Sequence, residues 1–183
     1  NWLGPTDAVP EVIENVQNGE VDSDFAQGLH DIVSILVAAK QAGADTFGVG
    51  PERYYSNGVF YGADEGSRVL PPGVYADGEL THPDKTTITN KITESVAHSW
   101  YTDDSGGNPR DEKPPEPDPE KDDAYSWGKA PRYGGRTMEV GPFARLVAAQ
   151  ADPFDLRATL GGGTTASNTL NRLIARAQEA LVV

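Results

Sequence analysis

The sequence predicts an α+β fold that is mainly helical and carries one small β-meander. Two stretches, residues 24–42 and 165–182, place apolar side chains at helical spacing. Between them, glycine and proline divide residues 47–102 into short pieces that are typical of strands and tight turns. We therefore expect one domain over residues 1–183 in which the helices supply most of the core.

The composition excludes several classes of protein. The 183 residues carry 15 Lys or Arg against 28 Asp or Glu, which gives a net charge of −13. This acidity argues against binding to nucleic acid or to an anionic membrane, because both need a basic surface. The chain has no Cys, which excludes disulfides, cysteine-based zinc or iron–sulfur sites and a thiol nucleophile. No apolar run approaches the length of a membrane span.

Two helices are predicted in the first part of the chain. A short helix is expected over residues 10–16, with Pro10 in its first turn. The clearest helix is expected over residues 24–42, where Ser23 or Asp24 can cap the start and Gly43 ends the helix. Its apolar face consists of Phe25, Leu29, Ile32, Val33, Leu36 and Val37.

A β-meander is predicted over residues 54–80. Its short strands are expected at residues 59–61, 68–70 and 73–75, joined by turns at 63–66 and 76–78. Residues 87–101 fit either a strand or a short helix, and we favour a helix around residues 90–98.

An acidic, proline-rich loop is predicted over residues 103–123. This segment contains five Pro and nine Asp or Glu and almost nothing apolar, which is typical of a solvated loop. It lacks the alternating ligand spacing and central glycine of a calcium loop. We therefore expect no cation site there.

Residues 125–183 are predicted to form a loop followed by two helices, at residues 137–151 and 165–182. Thr165 or Ser167 can cap the last helix. Its apolar stripe consists of Leu170, Leu173, Ile174, Ala177 and Leu181.

The usual signatures of metal and phosphate sites are absent from the sequence. His30, His82 and His98 are far apart and show no ligand spacing. The glycines of residues 161–163 precede a helix, but they lack the Gly-Lys-Ser/Thr of a phosphate loop. A plain connection between two helices is the better interpretation.

The densest chemistry lies in two neighbouring stretches, Tyr125-Ser126-Trp127-Gly128-Lys129-Ala130-Pro131-Arg132-Tyr133 and Met138-Glu139-Val140-Gly141-Pro142-Phe143-Ala144-Arg145. Together they place cations, one carboxylate and several aromatic rings around two prolines. Such an arrangement suits a pocket wall or a subunit interface. An ordinary loop with a Glu–Arg pair fits these residues equally well.

These two stretches resemble the central region of the large, catalytic subunit of nickel–iron hydrogenases. The resemblance extends in the family's order over about residues 25–180. It includes Tyr54–Tyr61, Leu70–Val74, Lys91–Tyr101 and the final helix, Thr169–Glu179. The chain departs from the family pattern at Phe143, where Leu is expected, and in the long acidic loop.

The resemblance implies an incomplete part of the large-subunit fold. In that family the nickel–iron centre is held by two Cys-x-x-Cys pairs near the two ends of the subunit, and this chain has no Cys. Because such a centre needs soft sulfur ligands, we expect no metal ligand and no catalytic residue in this chain. The metal ligands would come from other segments of the large subunit.

The implied activity is that of the assembled enzyme, which reversibly splits H2 into protons and electrons. The implied partners are the remaining segments of the large subunit and a small subunit with iron–sulfur clusters; neither nucleic acid nor a direct membrane span is expected. The alternative is a non-catalytic, hydrogenase-like scaffold or binding subunit of a redox complex.

Seven residues are expected near the nickel–iron centre or at a subunit interface, without binding metal themselves. Lys129 and Arg132 would supply positive charge and hydrogen bonds, and Glu139 and Arg145 would fix the loop. The full set is His98, Trp100, Lys129, Arg132, Tyr133, Glu139 and Arg145.

Overall fold

The computed structural model describes residues 24–62 and 67–182. The helix predicted at residues 10–16 and the turn predicted at 63–66 lie outside these ranges. The described helices and strands, in chain order, are α1 (Asp24–Gln41), β1 (Tyr54–Tyr61), β2 (Arg68–Ala76), β3 (Glu79–Thr81), α2 (Lys85–Lys91), β4 (Ile92–Ser95), β5 (Ala130–Tyr133), α3 (Pro142–Ala148), α4 (Leu156–Leu160) and α5 (Thr169–Val182). The predicted α+β class is confirmed.

The chain divides into two compact units. Unit 1 comprises residues up to 80 together with residues from 139 onward, and unit 2 comprises residues 81–138. The prediction that the whole chain forms one domain stays a prediction.

The meander forms a three-stranded sheet in the order β1–β2–β3, with β1 and β2 antiparallel. The sequence predicted two short strands at residues 68–70 and 73–75, which was wrong, because β2 runs continuously through Pro71 and Pro72. The proline ring needs space on the neighbouring strand, where a Cβ on Gly58 would lie 2.8 Å from Pro72 N. Gly58 also adopts φ +75, a conformation that glycine reaches at low cost.

Helix α5 contributes side chains to two hydrophobic clusters in the described part of unit 1. Leu170 and Ile174 are fully buried with Leu36 of α1 and Leu156 of α4. Ala175 belongs to the other cluster, which consists of Tyr54, Leu70, Phe143, Ala144, Leu146, Val147 and Ala175. The predicted apolar stripe of this helix was wrong at Leu173, which is 40% exposed, and its member Leu181 has a side chain outside the described part of the chain.

Two helix starts differ from the sequence prediction. A helix was expected from residue 137, but α3 begins at Pro142, after Gly141 at φ +108. The preceding Glu139 instead pairs with the strand region, where its N–H donates to Arg53 O at 2.8 Å and its carbonyl accepts from Tyr55 N at 3.0 Å. This backbone pairing with an extended segment excludes a helical conformation at Glu139.

The last helix, α5, starts at Thr169 rather than at residue 165. Asn168 provides the cap, because its Oδ1 accepts from Asn171 N at 2.8 Å. The expected caps Thr165 and Ser167 were therefore wrong. The short helix α4 between residues 156 and 160 was not predicted at all.

Unit 2 contains a short helix followed by a two-stranded ribbon. Asp84 caps α2 by accepting from Thr87 N at 2.9 Å. The helix favoured at residues 90–98 was wrong, because β4 pairs antiparallel with β5 from Ile92↔Tyr133 to Ser95↔Ala130. The β-branched residues Ile92 and Thr93 suit this extended conformation.

The acidic segment 103–123 is held by backbone pairing. Thr102 N donates to Glu116 O at 3.0 Å, and Asp118 N donates to Trp100 O at 2.9 Å. Its carboxylates still lie mostly at the surface, since eight of the nine acidic residues are exposed. Within the described residues, no helix combines the length and apolarity that crossing a bilayer requires.

Replacing Gly161 with alanine tests the packing at the start of α5. A Cβ at Gly161 would lie 1.7 Å from Asn171 Oδ1 and 3.0 Å from Arg157 O, although the backbone itself is unstrained at φ −86. We expect Gly161→Ala to lower the free energy of unfolding by about 1–3 kcal/mol through overpacking, as measured by urea denaturation.

The matched control is Gly28→Ala in α1, where a Cβ meets nothing within 4 Å. This exchange is expected to raise the free energy of unfolding by about 0.5–1 kcal/mol, because alanine has the better helix propensity. Equal effects of the two substitutions would contradict the proposed contact.

Candidate functional site

Glu139 is the centre of a polar network in unit 1. Its carboxylate accepts from Arg172 Nε at 2.7 Å and Nη2 at 2.8 Å, and from Ser167 Oγ at 2.7 Å. The Glu139 side chain is 14% exposed and that of Arg172 is 27% exposed. Hydrogen bonding to Glu139 raises the pKa of Arg172 above its ordinary value, so the guanidinium stays charged.

The segment before β1 approaches this network through glycines. A Cβ on Gly50 would lie 2.6 Å from Ser167 Oγ and 2.8 Å from Arg172 Nη2. A Cβ on Gly48 would lie 2.2 Å from Thr169 Oγ1, and Arg172 Nη1 donates to Gly48 O at 2.5 Å. A larger residue at either position would have to displace these side chains, and Gly48 also adopts φ +66, a conformation that favours glycine.

Tyr54 lies beside the Glu139 network at the start of β1. Its ring is fully buried and meets Phe143 edge-on at 5.0 Å between centroids. The hydroxyl donates to Thr165 O at 2.7 Å. Burial raises the pKa of Tyr54, so this hydroxyl stays protonated and keeps its hydrogen bond.

A second ion pair connects α3 with α5. Arg145 donates to both carboxylate oxygens of Glu179, with Nη2 to Oε2 at 2.6 Å. The two side chains are 24% and 12% exposed. Such a bidentate arrangement fixes the relative orientation of two helices.

The third polar cluster of unit 1 surrounds Arg157, whose side chain is 1% exposed. Its guanidinium donates to Thr164 O at 2.9 Å, to Ala151 O and to Asp152 Oδ1. Burial lowers the pKa of Arg157, and the nearby Asp152 carboxylate partly offsets this effect. The cluster connects the residues on both sides of α4.

Asp152 receives hydrogen bonds from several donors. Burial alone would raise the pKa of its carboxyl, but hydrogen bonds from Gln178 Nε2 at 2.6 Å and from the backbone N–H groups of Ala158 and Arg157 outweigh burial. The pKa of Asp152 therefore lies below its ordinary value. In the described part of the chain, the buried Gln178 Oε1 and Asn171 Oδ1 receive no hydrogen bond.

In unit 2, Lys129 is fixed by contacts within the ribbon region. Its Nζ donates to Ser105 O at 2.6 Å, lies 3.3 Å from Glu94 Oε2 and lies 5.9 Å from the centre of the Tyr101 ring. The side chain is 19% exposed. Lys129, at the edge of β5, therefore connects β4 with the start of the acidic segment.

His98 and Trp100 each contact an aromatic ring of the segment 125–127. His98 stacks on Tyr125 at 5.5 Å with an interplanar angle of 21°, and its Nδ1 lies 3.3 Å from Asp123 O. Trp100 contacts Trp127 at 5.2 Å between ring centres. Two stretches that are separated in sequence thus form one aromatic surface.

Arg132 and Tyr133 lie on β5. Arg132 Nη1 donates to Pro131 O at 2.9 Å, and Lys91 Nζ lies 5.7 Å from the centre of the Tyr133 ring. Burial raises the pKa of Tyr133.

The structure thus groups the seven predicted residues by unit: Glu139 and Arg145 lie in unit 1, and the other five lie in unit 2. Glu139 and Arg145 do not pair with each other but each bind α5. Sequence reasoning missed their partners Arg172 and Glu179. The available signal was a pair of opposite charges seven residues apart in the predicted final helix.

The residues present do not fit a nickel–iron centre. Within residues 24–62 and 67–182, no group of three or more His, Cys, Asp or Glu side chains is arranged to hold a metal ion. The whole chain has no Cys, whereas nickel and iron with bridging thiolates require several sulfur ligands. The ion pairs of both units are instead arranged to fix the fold.

The fold of this chain is similar to part of several solved hydrogenase structures. One structure of the [NiFeSe] hydrogenase from Desulfomicrobium baculatum aligns with 96% of this chain at a TM-score of 0.70 and 27% identity. A structure of the Ni-Fe-Se hydrogenase from D. vulgaris Hildenborough aligns with 99% of the chain at a TM-score of 0.69 and 26% identity. Each match covers 38% of the solved chain.

The amino-acid sequence is also similar to that of hydrogenases. The profile of the nickel-dependent hydrogenase family matches residues 18–183. The Hydrogenase-2 large chain of Escherichia coli K12 is 31% identical over 163 residues, which is 84% of this chain. The periplasmic [NiFeSe] hydrogenase large subunit of Desulfomicrobium baculatum is 37% identical over 101 residues.

The chain therefore belongs to the nickel-dependent hydrogenase family, and the resemblance seen in the sequence is confirmed. The match includes most of this chain but only about a quarter of the relative, 27% of the length of the E. coli large chain. The matched relatives are large subunits.

Removal of the Glu139 carboxylate tests the first network. Glu139→Ala leaves the Arg172 guanidinium partly buried without its bidentate partner, so we expect the free energy of unfolding to fall by about 1–3 kcal/mol. Glu120→Ala, at an exposed position, is the control and should change it by less than about 0.5 kcal/mol. In a double-mutant cycle with Arg172→Ala, independent effects would contradict the pairing.

The Asp152 cluster predicts a defined pH dependence of stability. The pKa of the Asp152 carboxyl is lower in the folded protein than in the unfolded protein, where it has its ordinary value of about 3.9. Its stabilising contribution is therefore present above about pH 4 and is lost as the pH falls through the folded pKa. We expect the difference in unfolding free energy between wild type and Asp152→Asn to be constant near neutral pH and to shrink in acid.

Urea denaturation of both proteins across the acidic pH range measures this difference. Asp104→Asn, at an exposed position, serves as the control and should show a difference near zero throughout. A difference that grows on acidification would show that Asp152 is not the stabilised carboxylate.

Proposed function

We propose that this chain is part of the large subunit of a nickel–iron hydrogenase and contributes the scaffold around the centre that reversibly splits H2 into protons and electrons. The observation that carries the proposal is the family match over residues 18–183, combined with a chain that spans 27% of a matched large subunit. A hydrogenase activity then belongs to the assembled protein.

In this proposal the metal ligands come from other segments of the large subunit. The reason is chemical, since this chain supplies no cysteine thiolate and no group of carboxylates or imidazoles suited to a metal within its described residues. A nickel–iron centre held by those segments would supply the chemistry of H2 splitting, and iron–sulfur clusters in a small subunit would accept the electrons. The chain's own residues fix the surrounding protein.

The seven residues predicted from the sequence take this supporting role in the proposal. Glu139 and Arg145 hold α5 through charged hydrogen bonds, and Lys129 holds the ribbon of unit 2. Rigid surroundings matter for a metal centre, because outer residues orient its ligands. Arg132, Tyr133, His98 and Trp100 are proposed to lie near the centre or at a subunit interface.

The test is the intact mass and metal content of the protein that carries this segment, purified with everything that accompanies it. We expect nickel in stoichiometric amount, H2-dependent reduction of a viologen dye, and cysteine-bearing segments on a polypeptide heavier than 19.5 kDa or on companion chains. Residues 1–183 expressed alone should bind no nickel, because they have no thiolate ligands.

A different result would favour the alternative function. An assembly without nickel and without H2-dependent dye reduction would identify a non-catalytic, hydrogenase-like scaffold or binding subunit of a redox complex. Nickel binding by residues 1–183 alone would contradict the statement that the ligands lie elsewhere.

A further inference from the structure

Three backbone segments of unit 2 lie side by side and create one surface. Trp100 N donates to Ser126 O at 3.0 Å, and Tyr125 N donates to His98 O at 3.1 Å. On the other side, Asp118 N donates to Trp100 O at 2.9 Å. The segment 98–102 is thus flanked by residues 116–118 and by residues 125–126, through short bridges rather than a regular sheet.

This arrangement collects five aromatic rings. Besides the His98–Tyr125 and Trp100–Trp127 pairs, Tyr101 meets Trp127 edge-on at 5.5 Å. Tyr125 is 74% exposed and Trp127 is 50% exposed. Rings held in mutual contact lose little conformational freedom on binding, and for this reason Tyr and Trp recur at binding hot spots.

An acidic connection, residues 116–123, runs beside the segment that carries His98, Trp100 and Tyr101. This connection begins beside Trp100 and ends beside His98, whose Nδ1 faces the Asp123 carbonyl at 3.3 Å. Its acidic residues are Glu116, Asp118, Glu120, Asp122 and Asp123, and all except Asp118 are exposed. We call the five rings and these five carboxylates the aromatic–acidic surface.

The one lysine within this connection does not neutralise its exposed carboxylates. Lys121 Nζ points inward, where Val96 O accepts at 3.0 Å, Tyr101 O at 2.9 Å and Asp103 Oδ1 at 2.6 Å. Its side chain is 15% exposed. The neighbouring Lys129 is similarly bound to Ser105 O and Glu94.

We propose that the aromatic–acidic surface docks a partner subunit through a segment that presents arginine or lysine beside apolar side chains. Cations pair with the carboxylates of this surface and lie over the faces of Tyr125 and Trp127, while the apolar groups cover the rings. A second copy of this chain is disfavoured, because its net charge is −13 and like surfaces would repel.

A separate subunit fits this surface better than buried packing within one polypeptide. Tyr and Trp surrounded by charged groups match the composition of protein–protein interfaces, which combine an aromatic core with a polar rim. The inference does not depend on hydrogenase activity, since it concerns only which chain lies against this surface.

The experiment places the photo-crosslinking residue p-benzoylphenylalanine at Tyr125 in the full-length protein within its native assembly. The same residue at Tyr61, which is 84% exposed in unit 1, is the control. After irradiation, mass spectrometry identifies the crosslinked peptide. We expect a peptide of a different polypeptide that contains Arg or Lys, with a yield that falls as NaCl is raised from about 50 to about 500 mM.

Charge reversal tests the carboxylates directly. Glu120→Lys combined with Asp122→Lys should lower the crosslinking yield at Tyr125 by about tenfold. The matched control, Glu79→Lys with Asp111→Lys, reverses two exposed charges outside the surface and should leave the yield unchanged. If the reversed protein does not assemble, Glu120→Gln with Asp122→Asn should give a smaller decrease of about threefold.

Several results would overturn the proposal. One group of such results is a crosslink to a second copy, to the same polypeptide or to a peptide without Arg or Lys. The other group is a crosslinking yield at Tyr125 no higher than at Tyr61, or one that does not change with the charge of Glu120 and Asp122. Nickel content and dye reduction, measured on the same preparation, report separately on the proposed function. The two proposals can therefore fail independently.

Discussion

The charged pair of Glu139 and Arg172 is the interaction on which the architecture of unit 1 depends. Backbone bonds fix Glu139 to β1, and its side chain fixes the first turn of α5. Arg172 also reaches the Gly48 carbonyl, so the segment before β1 joins the same network. One ion pair thus connects three parts of the chain that are distant in sequence, which hydrophobic contacts alone would orient less specifically.

The helical class was predictable because amphipathic spacing at residues 24–42 and 165–182 is a local property of the chain. The dense charged and aromatic motifs around Lys129 and Glu139 were recognisable for the same reason. The pairing of β4 with β5 was not, since Ile92 and Tyr133 are brought together by tertiary structure. A local helix propensity around residues 90–98 was overridden by this long-range pairing.

The partners of the site residues could not be predicted from the sequence either. A carboxylate at position 139 can bind any of several arginines, and the sequence offered Arg145 as a neighbour six residues away. Only the fold shows that α5 supplies Arg172 to Glu139 and Glu179 to Arg145. The acidic segment was also only partly predictable. Its composition indicates solvation, but its backbone hydrogen bonds to Trp100 and Thr102 depend on the fold.

The position of α5 has a consequence for how unit 1 opens. Leu170 and Ile174 lie in one hydrophobic cluster and Ala175 lies in the other, so displacement of the helix removes packing from both clusters at once. The two clusters are therefore coupled into a single cooperative unit rather than two that melt separately. Amide protons in the middle of α5 should then exchange with solvent only when the whole of unit 1 unfolds.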